Sequence, residues 1–454
     1  MTLMKSLLLG SAATLVVVAG AQAADLPTKK GAPAAEYVKV CKIDGMAGFV
    51  IPGSDTCLKI TGYLTAQVTA GTLDKGYTFT GGSQLHYTLD PTSNRDQIGY
   101  TTRGELEFIT KTNTAYGVLT ADIDTQFNYG TGFDNTGTGV TLNHGFLNWA
   151  GITAGKANSF FSAFGGGPGW ANDFSPDRQG FNQPGLLAYT ATFGGGFSAT
   201  VSLEDPAGTP GASEPGGTPS TGGSLLTFSG NSTVLGQRAP DIVAAVDLAQ
   251  GWGTAHLAGV AHYVDQLSTL DGTTESTWGW AVDGGLKFNL PTLGAGDNIQ
   301  LQGQWTRNAI WYSGANEGMW GENGAVNGNG IAMPITDAFS NGNGTWATPE
   351  TWTIGAVGEF HFGPNFSIDP EVSYLNISWS GVSTGLISKN QDSWIGGAVA
   401  HWDPVAHLDF ALELLYQSTH QDTPAAYTAA GNGGLAWKAN TDGLEGRFMI
   451  TRDF

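Results

Sequence analysis

Residues Ile299–Thr306 read IQLQGQWT, and their alternation decides the fold. Ile299, Leu301, Gly303 and Trp305 share one side of an extended chain, and Gln300, Gln302, Gln304 and Thr306 share the other. Successive side chains of a strand point to opposite faces, so one face meets an apolar medium and the other a polar one. The pattern recurs. Trp352, Ile354, Ala356, Gly358, Phe360 and Phe362 alternate with Thr353, Gly355, Val357, Glu359 and His361. Leu408, Phe410, Leu412, Leu414 and Tyr416 alternate with His407, Asp409, Ala411, Glu413 and Gln417. These runs exceed the usual globular strand of about five or six residues. They match the roughly nine to eleven that a tilted strand needs to cross a bilayer.

Working outward, the periodicity predicts strands over 58–70, 97–111, 115–129, 139–149, 151–158, 186–193, 197–204, 239–248, 252–264, 277–289, 297–312, 350–362, 365–377, 392–402, 406–419 and 441–454. About sixteen strands fit the even-numbered barrels of outer membranes. Connections alternate between brief ones, such as Ala150 and Gly194–Gly196, and long ones, such as 71–96, 159–185, 205–238, 313–349 and 420–440. Short turns on one rim and long loops on the other are expected of such a barrel, and a soluble sandwich has no reason to keep that parity. A barrel of this size is too wide for side chains to fill, so its bore holds water. Trp252, Trp278, Trp311, Tyr312, Trp352, Trp394, Trp402 and Phe454 lie near strand ends, where interfacial aromatic belts are expected.

Composition agrees. The 454 residues include 68 glycines, only 13% charged residues and 41% hydrophobic ones. Average soluble domains carry about 25% charged residues. The formal charge of −20 argues against nucleic-acid binding, because phosphates would be repelled. Residues 1–23 read as a signal peptide, with Lys5, an apolar stretch from Leu7 to Gly20 and a small-x-small site at Ala21–Ala23. Residues 24–57 form an N-terminal periplasmic segment, its beginning a tether rich in Ala, Pro and Lys, and the barrel domain spans 58–454. In an oxidising compartment Cys41 and Cys57 are expected to pair.

Loop 159–185, the third long one, carries Phe160, Phe161, Phe164, Trp170, Phe174 and Phe181 among glycines and prolines. Such aromatics seldom stay in water, so the loop is expected to pack against the inner wall. Asp173, Asp177 and Arg178 would then narrow the bore. Near it, Lys59, Arg103, Glu105, Glu107, Asp122, Asp124, Glu445 and Arg447 are expected to face inward, as opposed acidic and basic walls that filter ions. The negative excess points to a weak preference for cations. Gly381–Gly385, GVSTG, matches a hydrolase pattern but lacks the strand–turn–helix context. The eight histidines show no ligand spacing, and Asp122 with Asp124 reads as a solvated lumen pair, so neither metal nor cofactor is expected.

Three stretches carry a family likeness: EYVKVCKIDGMAGFVIPGSDTCLKITGYLTAQV (36–68), GFLNWAGITAGKANSFF (145–161) and LLAYTATFGGGFSATVSLED (186–205). Together with the terminal Phe454 they resemble the alphaproteobacterial porins of the rhizobial and Brucella type. The resemblance implies a trimer of 16-stranded diffusion channels in the outer membrane, embedded in lipid, passing small hydrophilic solutes and ions, with the third long loop folded inward. The family's two N-terminal cysteines match Cys41 and Cys57. The alternative reading is an outer-membrane barrel serving as scaffold for an adhesin or enzyme.

Overall fold

A computed structural model describes residues 39–71, 77–81, 85–89, 98–132, 138–164, 183–205, 232–235, 238–313, 336–383, 388–422 and 440–454. Sixteen strands form a closed antiparallel barrel. They are β1 (Cys57–Gly71), β2 (Ile98–Thr114), β3 (Gly117–Gly132), β4 (Gly139–Trp149), β5 (Ile152–Lys156), β6 (Gly185–Gly194), β7 (Phe197–Glu204) and β8 (Asp241–Gln250). The other half is β9 (Gly253–Ser268), β10 (Thr274–Asn289), β11 (Asn298–Arg307), β12 (Thr345–His361), β13 (Phe366–Ser380), β14 (Asn390–Val405), β15 (Leu408–Gln421) and β16 (Asn440–Asp453).

Each strand pairs with its sequence neighbours. The seam closes where β16 pairs with β1, from Glu445 opposite Gly71 to Asp453 opposite Tyr63. Phe454 locks this seam: its amide donates to Gly62 O at 3.0 Å, and Thr61 Oγ1 donates to Phe454 O at 2.7 Å. No helix among the described residues is long and apolar enough to cross a membrane.

All sixteen expected strands are present, and the parity of the connections holds. The division of 139–158 follows from Ala150 (φ 52°) and Gly151 (φ 85°), which build a two-residue hairpin between Trp149 and Ile152. Positive φ at both central positions matches the right-handed twist of the flanking strands. One difference lies before β1. Residues Val40–Ile43 and Met46–Val50 form a hairpin that extends the sheet, with Phe49 opposite Leu58. The Cys41–Cys57 disulfide ties this hairpin to the foot of β1, so regular strand structure is already present before residue 58.

Faces follow the alternation. Trp305 is 50% exposed and Leu301 41%, whereas Gln304 and Gln302 are each 4% exposed on the opposite face. Outward aromatics gather at two levels. Trp252 with Phe288, and Trp402 with Phe410, meet near the short-turn rim. Trp280 with Trp305, and Tyr374 with Trp352 and Trp394, form the belt at the other level. Ten residues separate Trp278 from Phe288 on β10. At about 3.3 Å per residue and a tilt near 40°, that spacing gives a band about 25 Å tall, the height of a membrane's apolar layer.

Tyr312 departs from the expected belt. β11 ends at Arg307, and a single helical turn, Ile310–Ser313, carries Tyr312 inside the barrel, where it is buried. The side chain of Trp311 lies outside the described residues. A second departure is apolar packing on the inner wall. Val243, Ala245, Ala258, Val260 and Ala281 face inward, because Phe161, Ala309 and Tyr312 cover them there.

Candidate functional site: the inner wall

Strands β1 to β4 and β16 present the charged panel of the wall. Outward neighbours such as Ile60, Leu64, Phe108, Ile123 and Phe448 are exposed to the lipid side, so the intervening positions face the bore. Lys59 stands opposite Ile109, Glu105 opposite Gln126, and Glu107 opposite Asp124. Arg103 Nε donates to Asn128 Oδ1 at 2.7 Å, and Gln126 Nε2 donates to Glu105 Oε2 at 2.8 Å. On β16, Arg447 Nε donates to Glu445 Oε1 at 2.5 Å and lies 3.6 Å from Glu413 Oε2 on β15. Arg103 and Glu105 on β2, and Glu445 and Arg447 on β16, put opposite charges two positions apart, whereas Glu105 with Glu107 and Asp122 with Asp124 repeat the same charge.

The pairing of β3 with β4 slips by one residue between Asp124 and Thr125, leaving Asn143 as the extra residue of a bulge. Bulges re-aim side chains. Here Asn143 Nδ2 donates to Asp124 Oδ2 at 2.6 Å, and His144 turns toward the Asp122, Asp124 and Glu107 carboxylates. His144 escaped the sequence reading because its partners lie on two other strands and only the sheet register brings them together. Glu107, Asp122 and His144 offer ligand atoms that all lie within 4.8 Å of one another, contrary to the expectation that the histidines have no ligand grouping.

The other side of the bore is occupied by chain from two long connections. Residues 159–163 follow β5 and reach the inner faces of β7, β9 and β10. Ser159 Oγ donates to Glu204 Oε2 at 2.6 Å, and the Phe160 amide donates to Glu204 Oε1 at 3.1 Å. His256 Nε2 lies 3.1 Å from Phe161 O, and the Ala163 amide donates to Asp283 Oδ2 at 3.1 Å. Gly285 is the close-approach point, since a Cβ there would overlap the Ala163 side chain and crowd Phe164. The polar contacts of 159–163 are thus with Glu204, His256 and Asp283. Asp173, Asp177 and Arg178 lie outside the described residues.

The second connection, between β11 and β12, returns inside as well. Tyr312 Oη donates to Asp241 Oδ2 at 2.5 Å, and His262 bridges Asp241 Oδ1 at 2.8 Å and Asp337 Oδ2 at 3.2 Å. His256 and His262 therefore act with separate partners. Asp369, Glu371 and Glu413 add buried acids elsewhere on the inward face. Inward acids outnumber the inward bases, Lys59, Arg103, Lys111, Lys156, Lys287 and Arg447, among the described residues. Gly381–Ser383 sit in the connection after β13, while Thr384 and Gly385 fall outside the described residues.

Comparison with known proteins follows this geometry. A family model described as porin subfamily matches residues 25–442. The chain is 31% identical over 388 residues to porin Omp2b of Brucella suis, covering 82% of this chain and 92% of the relative. It is 31% identical over 385 residues to porin Omp2b of Brucella abortus, with the same coverage. Among solved structures, the outer membrane channel DcaP of Acinetobacter baumannii superposes with a TM-score of 0.59 at 12% identity, over 90% of this chain and 100% of that one. That last likeness is one of fold.

Proposed function

Because the chain belongs to the porin family, multi-pass β-barrels that form diffusion channels in the bacterial outer membrane, we propose that its bore passes ions and small hydrophilic solutes with a preference for cations, and that loop 159–185 narrows it. The observation that carries the constriction is the hydrogen bond from Ala163 to Asp283, which holds the start of that loop against a strand five places further round the barrel. Asp173, Asp177 and Arg178 are then the loop's charges at the narrowing. The excess of inward acids supports the cation preference, since a ring of carboxylates in a low-dielectric wall attracts counter-ions. Lys59, Arg103, Glu105, Glu107, Asp122, Asp124, Glu445 and Arg447 tune it.

In this reading the chain is a channel rather than an enzyme, residues 1–23 direct export, residues 24–57 sit at the periplasmic rim, and three copies associate through their lipid-facing walls. Reconstitution into a planar bilayer tests the channel, its selectivity and the trimer. Expected are conductance steps in groups of three and a reversal potential, across a potassium chloride gradient, of the sign given by cation flow. A reversal potential of the opposite sign would overturn the selectivity, and single steps would overturn the trimer.

A further inference from the structure

We propose that Glu107, Asp122 and His144 bind one divalent transition-metal ion, of the zinc class, on the wall of the bore. The donor set is one imidazole and two carboxylates on β4, β2 and β3. Imidazole selects transition metals over calcium and magnesium, which take oxygen ligands. Metal–ligand bonds of about 2.0–2.1 Å in a tetrahedron place neighbouring donor atoms about 3.3–3.4 Å apart. His144 Nε2 lies 3.3 Å from Asp122 Oδ1 and 3.7 Å from Glu107 Oε1.

Those separations differ from the shortest contacts of three other histidines on the inner wall, whereas His361 stands at similar ones, 3.2 Å from Asp297 Oδ1 and 3.5 Å from Glu359 Oε1. His256, His262 and His401 hydrogen-bond their carboxylates at 2.7, 2.8 and 3.0 Å. His144 stands off at the spacing of ligands around a common ion. Asp122 is 9% exposed, and its Oδ1, one of the three donor atoms, is buried and accepts no hydrogen bond. A buried carboxylate oxygen left so is costly unless a cation meets it. Among the described residues no lysine or arginine forms an ion pair with Glu107, Asp122 or Asp124, so three carboxylates surround a single imidazole.

The surroundings orient the ligands. Asp124 Oδ2 lies 3.5 Å from His144 Nδ1 and is fixed by Asn143 Nδ2, and the imidazole leans on the Phe146 ring at 5.6 Å. A carboxylate beyond the ligating imidazole is the usual support of a metal-bound histidine. The Glu107 and His144 side chains keep 25% and 19% exposure, so an ion enters from the bore and water takes the fourth position.

Metal-free protein in detergent micelles, titrated with zinc chloride in a calorimeter, tests this. Expected is saturable binding at one ion per chain, weakened roughly tenfold or more in His144→Asn and in Glu107→Gln. His407→Asn, at an exposed pair with Asp453, should bind as the parent does. Cobalt(II) added to the unmutated protein should give the intense visible bands of a four-coordinate site, which keeps the test valid should a variant fail to assemble. No saturable binding, no such bands, or unchanged binding in His144→Asn would each overturn the site. The further expectation that zinc lowers potassium current rests on the channel reading, whereas binding in micelles does not. Binding without any conductance would count against the channel, and conductance without binding against the metal site.

Discussion

The backbone amide of Ala163 donates to Asp283 Oδ2 at 3.1 Å, joining the chain that follows β5 to the inner face of β10. Gln302 Nε2, on β11, donates to the other oxygen of the same carboxylate at 3.0 Å. The wall thus holds the acceptor in place for the loop. Both donors are paired through one buried side chain, so the carboxylate's removal orphans two groups at once.

Asp283→Ala should therefore loosen the start of loop 159–185 without opening the barrel. Each buried donor left unpaired costs about 1–3 kcal/mol. The loss falls on the loop, because the strand ladders of β10 are untouched. Single-channel recordings are expected to show larger and noisier conductance steps, with the heat-induced unfolding of the barrel little changed. Steps of unaltered size would refute a constriction held at this point.

Interleaved charges make selectivity adjustable in both directions. Glu105→Gln removes an inward negative charge and keeps an amide at the position that accepts from Gln126. Arg103→Gln removes the inward cation two residues away on the same strand. Cation preference should fall in the first variant and rise in the second, read as opposite shifts of reversal potential. Shifts of the same sign would exclude these positions from the ion path.

Reduction of Cys41–Cys57 should free the hairpin at residues 40–50 and leave the barrel closed. The bond spans 16 positions, and a loop of that size is worth about 3 kcal/mol in the chain-entropy account. Only Phe49 and Val50 of the hairpin pair with β1, at Leu58 and Cys57. Hydrogen exchange is expected to accelerate over 46–50 in reductant while β1 beyond Ile60 stays protected. Equal acceleration along β1 would show that the disulfide holds the barrel itself.

Asp271, in the turn between β9 and β10, accepts from Thr273 N at 3.1 Å and from Gly344 N at 2.7 Å. These bonds, the Gly344 amide foremost, hold its carboxyl well below the usual aspartate range. A depressed folded value means stabilisation that is present above the unfolded value of about 3.9 and lost as pH falls from there through the lower folded value. Exchange at the Gly344 amide should thus be constant from pH 5 to 8 once intrinsic rates are divided out. Asp271→Asn should accelerate it throughout that window. A protection factor in the parent that titrated near pH 6 would contradict this assignment.

Much of the barrel was legible because each strand carries its own alternation, and alternation is local. The sixteen spans, the parity of the turns and the inward face of Glu105 or Arg447 need no knowledge of partners. The hairpin before β1 was missed although its signal is local: Asp44-Gly45 lies between the runs VKVCKI and MAGFVI, and such a pair is a strong mark of a two-residue turn. Both residues take positive φ, at 46° and 77°. What sequence could not yield is placement across the bore. Tyr312 continued an apolar run and read as belt, yet Asn308, at φ 52°, ends the strand and sends it inside. His144 read as one histidine among eight, because its meeting with Glu107 depends on the register of three strands.

Gly285 supplies a steric counterpart to the Asp283 variant. It faces the bore, and a side chain there would collide with Ala163 and Phe164. Gly284, one residue away, faces outward with open space at its Cβ position. Gly285→Leu should expel the start of loop 159–185 from the wall and enlarge the conductance steps as Asp283→Ala does, although it leaves every charge in place. Gly284→Ala should leave the steps unchanged. Because one variant alters charge and the other only volume, a shared increase assigns the effect to the loop's position, while an increase in Asp283→Ala alone would assign it to the lost carboxylate.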